Sequence, residues 1–407
     1  MTFTEGGVTA AKGFKAADAA AGIKYQGRPD MAMILSSVMC KAAGTFTTNV
    51  VKAAPVIWDR DIVKGSGLAQ AVVINSGIAN ACTGEEGMKY CRETASAVFE
   101  KLAVPENAVL VASTGVIGMQ LRIDRIRDGI SMMSGSLSDT IEAGHKAARA
   151  IMTTDTKPKE AAVSFRAGGK DIVLGGMCKG SGMIHPNMCT MLCFLTTDIN
   201  ISQELLQEAL SCSIQDTFNM VSVDGDTSTN DTVLLLANGL ARNPEITEKN
   251  DDYYSFCEAL KEVNTKLCRM IAGDGEGATA LFEVEIKGAD TKEQAKVLAR
   301  SVVSSNLVKA AICGHDANWG RILCAMGYSG AEFDPDRTDL YFESAAGKIQ
   351  IMSAGTGCCF SEEEATRILS EPEVKAIAVI GKGPESAVAW GCDLTHGYID
   401  INADYRS

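Results

Sequence analysis

Apolar positions along the chain fall into short runs and longer helical patterns. Runs rich in aliphatic and β-branched residues predict strands at 69–75, 108–114, 231–238 and 281–288. A longer run at 162–176 is interrupted by Gly168 and Gly169, which predicts a hairpin. Two stretches, 88–103 and 252–275, repeat apolar residues at helical spacing and therefore predict helices.

This mixture of strands and helices predicts an α/β or mixed α+β fold with more than one sheet. The hairpin argues against a purely parallel sheet, because the two arms of a hairpin run antiparallel. A chain of 407 residues is long enough for two or three domains, or for two lobes around a central active site. We therefore expect a two-lobed protein with more than one sheet.

Charge and composition narrow the classes of partner. The formal net charge is -13 and no Lys/Arg run stands out, which argues against a nucleic acid or an anionic membrane surface. No apolar run reaches the roughly 18 residues of a membrane span, and the first 22 residues lack a secretory core. We expect a cytoplasmic protein whose 14 cysteines are reduced thiols, mostly packed as small apolar residues.

Familiar motifs for metals and nucleophiles do not fit. The stretch 224–235 begins with the alternating oxygens of a calcium loop, but Thr229 stands where Gly is needed and Leu235 where Glu is needed. There is no HExxH pattern and no GxSxG turn, and the four histidines are far apart in sequence. A Ser-His-Asp triad assembled by folding stays open, but no metal is expected and no base for a hydroxyl is evident.

Thr190 stands where a glycine-rich loop passes into an apolar strand. A threonine hydroxyl can use its own α-amine as base when it begins a chain, and such an amine titrates near pH 8. An internal Thr190 must first attack the carbonyl of Cys189, and the preceding glycines and Pro186 suit a strained loop of that kind. The residues are thus compatible with self-cleavage between Cys189 and Thr190, although an ordinary strand threonine fits the pattern more simply.

The stretch KGSGMIHPNMCTML, at 179–192, resembles the cleavage segment of the ornithine acetyltransferases (glutamate N-acetyltransferases) of arginine biosynthesis. Further similar stretches follow in the family's order, at 6–17, 75–84, 113–118, 150–159, 222–232, 273–279, 316–322 and 401–407. Three positions depart from the usual pattern: Cys189 replaces Ala, Ala280 replaces Lys and Ser407 replaces Thr. The loss of a cation at Ala280 puts any contact made there in doubt.

The resemblance implies roles for individual residues. Thr190 would be both the cleavage residue and the acetyl-accepting nucleophile, with Thr114 and Gly115 as its oxyanion hole. The substrate-binding residues that it implies are Thr153, Lys179, Thr190, Glu276, Asn402 and Ser407, and the choice between Thr153 and Thr154 is open. His185 is close to Thr190 in sequence, but the amine mechanism does not require it as a base.

The same resemblance implies a fold of the N-terminal-nucleophile type that cuts itself into chains 1–189 and 190–407. Two copies of each would form a heterotetramer. The reaction would move acetyl from N2-acetylornithine to L-glutamate through acetyl-Thr190, without metal or organic cofactor, and acetyl-CoA as a second donor is left open. The alternatives are an amidohydrolase or aminopeptidase of the same architecture, and an uncleaved, non-catalytic binding protein.

Overall fold

A computed structural model describes residues 1–185 and 191–403. Its contacts divide the chain into two compact units. In the described part, the first unit comprises 1–180, 191–214 and 227–267. The second comprises 181–185, 215–226 and 268–403.

The strands of the described chain are β1 Thr2–Thr4, β2 Phe14–Ala19, β3 Met31–Phe46, β4 Leu68–Ile78, β5 Val109–Val116, β6 Lys159–Ala167, β7 Lys170–Lys179, β8 Leu192–Thr197, β9 Val221–Ser222, β10 Thr232–Ala237, β11 Leu281–Ala289, β12 Asp339–Ser344, β13 Gly347–Ser353, β14 Thr356–Gly357, β15 Glu373–Val379 and β16 Glu385–Cys392. Its α-helices are α1 Ala54–Gly65, α2 Glu85–Leu102, α3 Ile123–Ser134, α4 Ile141–Ala150, α5 Gln203–Asp216, α6 Asp251–Ala272, α7 Lys292–Val303, α8 Asn306–Cys313, α9 Trp319–Gly327, α10 Glu362–Leu369 and α11 His396–Ala403.

The first unit is built on a mixed sheet in the order β1-β6-β7-β8-β10-β3-β4-β5, with β2 also paired to β3. Strand β8 runs parallel to β10, and β4 runs parallel to β5, while the β6–β7 hairpin is antiparallel. Side chains of both faces are buried along β8 and β10, which explains their continuous apolar sequences.

Strand β3 pairs with β4 along one edge and with two strands in turn along the other. The β4 pairing runs from Met31 to Lys41 with an interruption after Leu35, while the other edge pairs with β2 up to Ser36 and with β10 from Lys41 to Phe46. The register of the β3–β4 pair shifts between Leu35 and Cys40. Irregularities of this kind bend a strand and increase its twist, so β3 can turn the direction of the sheet.

Apolar helix faces cover this sheet. Helix α2 buries Cys91, Ala95 and Val98, three residues of the face that its spacing predicts. They join one hydrophobic cluster with residues of β4 and β5. A second cluster packs residues of β7, β8 and β10, including Met177, against helix α4. Strands β4, β5, β7, β8 and β10 are therefore supported by these two clusters of buried side chains.

The second unit has its own sheet, in the order β14-β13-β12-β15-β11-β16-β9. Strand β11 lies inside the sheet and pairs parallel with β15 and antiparallel with β16. Helix α7 packs on β11 and β16, where it buries Leu298 and Val302. Helix α11 is the last element of the described chain.

The structure confirms the predicted fold class, since the protein is mixed α/β with more than one sheet. Each predicted strand, the hairpin turn at Gly168 and Gly169, and both predicted helices are present within a few residues of their expected bounds. The expectation for the cysteines is only partly correct, because four that the structure describes are exposed: Cys82, Cys212, Cys324 and Cys359. Within residues 1–185 and 191–403, no helix is long and apolar enough to cross a membrane.

Candidate active site

Thr114 and Gly115 lie at the end of β5, beside the end of β4. Gly115 has a φ of +125°, a conformation that glycine adopts readily and other residues rarely. A Cβ at this position would lie 2.3 Å from the carbonyl carbon of Gly77, the facing residue of β4. Glycine is therefore required at this position of β5 for both reasons, and the buried residue Thr114 lies next to bare backbone.

Lys179 ends β7, and the fold brings it to Thr114. Its side chain is only 4% exposed, and its Nζ donates a hydrogen bond to Thr114 Oγ1 at 3.2 Å. Because Oγ1 accepts this bond from the ammonium, the hydroxyl proton of Thr114 is available to donate elsewhere. Two residues that the sequence places in separate roles thus form one buried, positively charged donor group.

Asp155 organises the backbone beside Lys179. Its Oδ1 accepts from Lys159 Nζ at 2.6 Å and from the Gly180 N–H at 2.7 Å, and its Oδ2 accepts from the Thr153 N–H at 3.1 Å. Burial alone would raise the pKa of Asp155, but the Lys159 and Lys179 ammonium groups outweigh it and hold that pKa below its usual value. Thr153 is therefore tied to the same carboxylate as the glycine loop. Sequence reasoning missed Asp155, which shows only as one acidic residue among threonines.

Asn230 and Asp231 come directly before β10 and contact the ends of other strands. Asp231 Oδ1 accepts from the backbone N–H of Met191, the residue that follows Thr190, at 3.2 Å. The Asn230 side chain donates to the carbonyls of Ala79 and Ser113, both at 2.7 Å. Sequence reasoning tested this stretch as a calcium loop and included it in the family resemblance, but it assigned no role to Asn230 or Asp231, for which the dense polar residues were the available signal.

In the second unit, Glu276 and Asn402 meet. Asn402 Nδ2 donates to Glu276 Oε2 at 2.7 Å, which places helix α11 against the Glu276 turn. Glu276 is 8% exposed, and a Cβ at Gly182 would lie 2.3 Å from its carboxyl carbon. Gly182 therefore lets the carboxylate approach the glycine loop closely.

His185 is the last described residue of the glycine loop, and Asp224, which follows β9, contacts that loop. Asp224 accepts from the backbone N–H groups of Met183 and Ile184, so it shapes the loop rather than a cation site. His185 Nδ1 lies 3.2 Å from Ser222 Oγ. Burial, and then the charge of Arg300, lower the pKa of His185 below its ordinary value, so its imidazole is neutral at physiological pH.

Three of the predicted site residues, Cys189, Thr190 and Ser407, lie outside the described residues. In the first unit the structure brings together Thr114, Gly115 and Lys179, with Thr153 joined through Asp155. In the second unit it brings together Glu276 and Asn402. Across the described ranges, no cluster of three or more His, Cys, Asp or Glu side chains could hold a metal ion.

Comparison with known proteins gives the family. The model of the ArgJ family matches residues 15–407. This chain belongs to the ArgJ family. It is 51% identical over 398 residues to the arginine biosynthesis bifunctional protein ArgJ of Thermotoga neapolitana, covering 97% of this chain and 99% of that protein. It is 52% identical over 409 residues to the protein of the same name from Symbiobacterium thermophilum, covering 100% of both.

Among solved structures, the chain is similar to an ArgJ from Bacillus halodurans, with 46% identity and a TM-score of 0.49. That match covers 52% of this chain and 97% of the solved chain. The family and the full-length relatives confirm the resemblance that the sequence motifs indicated. They do not favour an amidohydrolase, an aminopeptidase or a non-catalytic binding protein.

Proposed function

We propose that this chain transfers acetyl from N2-acetylornithine to L-glutamate through an acetyl ester on Thr190. As a member of the ArgJ family, the chain is an acetyltransferase of arginine biosynthesis. The proposal adds the residues and the route. Its central support is the 3.2 Å hydrogen bond between Lys179 and Thr114, which assembles the donors that acyl transfer requires.

Acyl transfer develops negative charge on the carbonyl oxygen, and Thr114 and Gly115 suit that charge. The Thr114 hydroxyl is oriented by the Lys179 ammonium. Gly115, the next residue of β5, has no side chain that would cover its backbone. Groups fixed before the reaction stabilise the transition state without further rearrangement. We assign the oxyanion hole to Thr114 and Gly115, and Lys179 to orienting Thr114 and attracting the substrate's carboxylate.

The base in this proposal is the α-amine of Thr190, released when the bond after Cys189 is cut. The amine takes the proton of the Thr190 hydroxyl as its oxygen attacks the acetyl carbonyl, and the ornithine amine leaves with a proton. The amine of glutamate then attacks the ester, and the hydroxyl is restored. A free α-amine has a pKa of about 7.7–8.0, so a useful fraction is neutral at physiological pH.

The remaining substrate roles follow the family resemblance. The Glu276 carboxylate, which accepts from Asn402, suits a substrate ammonium group. Asn402, Ser407 and Thr153 are also assigned to the substrate. After cleavage, chains 1–189 and 190–407 stay together, and we propose a heterotetramer with two of each.

Mass spectrometry of the intact protein tests the proposal. After incubation with N2-acetylornithine, we expect two fragments of roughly 20 and 23 kDa, scaled by residue count. The larger fragment should gain one acetyl group and lose it when L-glutamate is added. Acetyl-CoA in place of acetylornithine tests the second donor, and native mass spectrometry tests the heterotetramer. An unbroken, unacetylated chain in an active sample would overturn the proposal.

A further inference from the structure

Both backbone groups of Met191 form hydrogen bonds at the start of β10, with Asp231 just before the strand and with Thr232, its first residue. Its N–H donates to Asp231 Oδ1 at 3.2 Å, and its carbonyl accepts from the Thr232 N–H at 3.1 Å. Strands β8 and β10 then continue in parallel register, with Leu192 opposite Thr232. The second of these bonds belongs to the ordinary strand pairing, whereas the Asp231 bond is a separate side-chain contact.

The residue next to Asp231 holds the strand that carries the oxyanion residues. Asn230 Nδ2 donates to the carbonyl of Ser113, which directly precedes Thr114, and to the carbonyl of Ala79 after β4. Asn230 is 5% exposed and Asp231 is fully buried, so these bonds are shielded from water. The pair therefore contacts one strand beside Thr114 and another beside Thr190.

We propose that Asp231 is a positioning residue for acetyl transfer, which fixes the backbone N–H of Met191, the residue after Thr190, relative to Thr114 and Gly115 at the end of β5. The inference rests on the proposed function, since it assigns Thr190 as the nucleophile. Asp231 touches Met191 and acts through the backbone. Asn230, the residue before it, bonds to the carbonyl of Ser113 in β5, the strand that contains Thr114 and Gly115.

Burial argues against the alternative that Asp231 is itself a base. Burial raises the pKa of Asp231 well above its ordinary value, and this favours the neutral carboxyl. Within the described chain, Asp231 Oδ2 is buried without a hydrogen-bond partner, so Oδ1 makes the contact that matters here. A misplacement of about 1 Å at a reacting group can reduce a rate about 100-fold. Loss of the single hydrogen bond between Asp231 and Met191 can therefore lower kcat substantially.

Three substitutions separate positioning from a general structural role. Asp231→Ala removes the acceptor for Met191, Asp231→Asn keeps an acceptor oxygen of similar size, and Asp231→Glu moves the acceptor by one methylene. Asp198→Ala is the matched control. Asp198 is also buried, and its Oδ1 also accepts from a backbone N–H, that of Val173 at 2.9 Å, but Asp198 lies just after the far end of β8.

The measurements are the extent of self-cleavage, kcat per cleaved molecule, KM for both substrates and the melting temperature. For Asp231→Ala and Asp231→Glu we expect kcat to fall at least about tenfold with KM within about twofold, consistent with misplacement of the reacting group. Asp231→Asn should stay within about threefold of wild type even where its melting temperature falls, because its acceptor remains. Asp198→Ala should lose stability and keep its kcat.

Self-cleavage also reports on position, because it uses the same Thr190 oxygen. An uncut Asp231→Ala sample beside a fully cut Asp198→Ala sample of similar melting temperature supports the proposal. Equal kcat values for Asp231→Ala, Asp231→Glu and Asp198→Ala would overturn it. If Asp231→Ala does not fold, the comparison of kcat between Asp231→Glu and Asp198→Ala tests the proposal instead. A wild-type protein that never becomes acetylated would instead refute the proposed function.

Discussion

Lys179 Nζ donates a hydrogen bond to Thr114 Oγ1 at 3.2 Å, although the two residues are 65 positions apart in sequence. Their strands, β7 and β5, are also five steps apart in the order of the sheet. Adjacent strands are about 4.8 Å apart, so a flat sheet would separate the two strands by roughly 24 Å. The sheet must therefore curl back on itself, and the irregularity between Leu35 and Cys40 of β3 is a place where it can bend.

Removing the Lys179 ammonium tests its role at this contact. We expect Lys179→Met to raise KM for N2-acetylornithine about tenfold or more, because a hydrogen bond to a charged group contributes about 1.5–3 kcal/mol. Lys170→Met is the control, because Lys170 is exposed at the opposite end of the same strand. Steady-state kinetics measure both variants. An unchanged KM and kcat for Lys179→Met would contradict the assignment.

A methyl group at Gly115 tests the proposed oxyanion hole. Gly115→Ala places a Cβ 2.3 Å from the Gly77 backbone and requires an unfavourable φ, so the end of β5 must move. We expect kcat to fall about 100- to 1,000-fold, the usual effect of losing one oxyanion donor. Gly118→Ala is the matched control, since Gly118 also has a positive φ but its Cβ would meet nothing within 4 Å. Similar kinetics for the two variants would argue against the oxyanion role.

Substitutions at Thr190 test self-processing. Thr190→Ala removes the hydroxyl, so we expect one band near 43 kDa on a denaturing gel and no acetyl transfer. Thr190→Ser keeps a hydroxyl and should retain some cleavage. The uncut Thr190→Ala protein should have a far-ultraviolet circular dichroism spectrum like that of wild type, which controls for folding. Two fragments and normal activity in Thr190→Ala would refute Thr190 as the nucleophile.

The buried Asp155–Lys159 pair predicts a dependence of stability on pH. Both side chains are almost completely buried, so Asp155→Asn removes the charge of one partner of a buried ion pair and should reduce the free energy of unfolding by about 3–5 kcal/mol at pH 7. The pKa of Asp155 is lower in the folded protein than in the unfolded chain. Its ionisation therefore stabilises the fold above the ordinary aspartate pKa of about 3.9, and this contribution disappears as the pH falls through the folded value.

Urea unfolding of wild type and Asp155→Asn at several pH values measures this effect. The difference between the two proteins should be largest at neutral pH and should shrink on acidification below about pH 4. Asp171→Asn serves as the control, because Asp171 is exposed at the edge of the β6–β7 hairpin. An equal difference at all pH values would show that Asp155 acts only through its size and hydrogen bonds.

Residues that join distant segments were the ones that sequence reasoning missed. Asp155, Asn230 and Asp231 each bond to backbone groups far along the chain, and a single polar residue in a loop has no periodic signal. The stretch 224–235 shows the difficulty. Its alternating oxygens resemble a cation loop, yet Asp224 and Asp231 accept from backbone N–H groups on either side of the predicted cleavage point.

The sequence by itself determined the strands, the hairpin and the α2 helix, because alternation and helical spacing are local properties of neighbouring residues. Its motifs also indicated the family, and through it Thr114, Gly115, Lys179 and Glu276. Only the tertiary structure decided that Lys179 donates to Thr114, that Asp155 forms a buried ion pair with Lys159, and that Asp231 accepts from Met191. Those contacts depend on how the long strand β3 bends and on which distant strands pair with it, and the local periodicity of the sequence predicts neither.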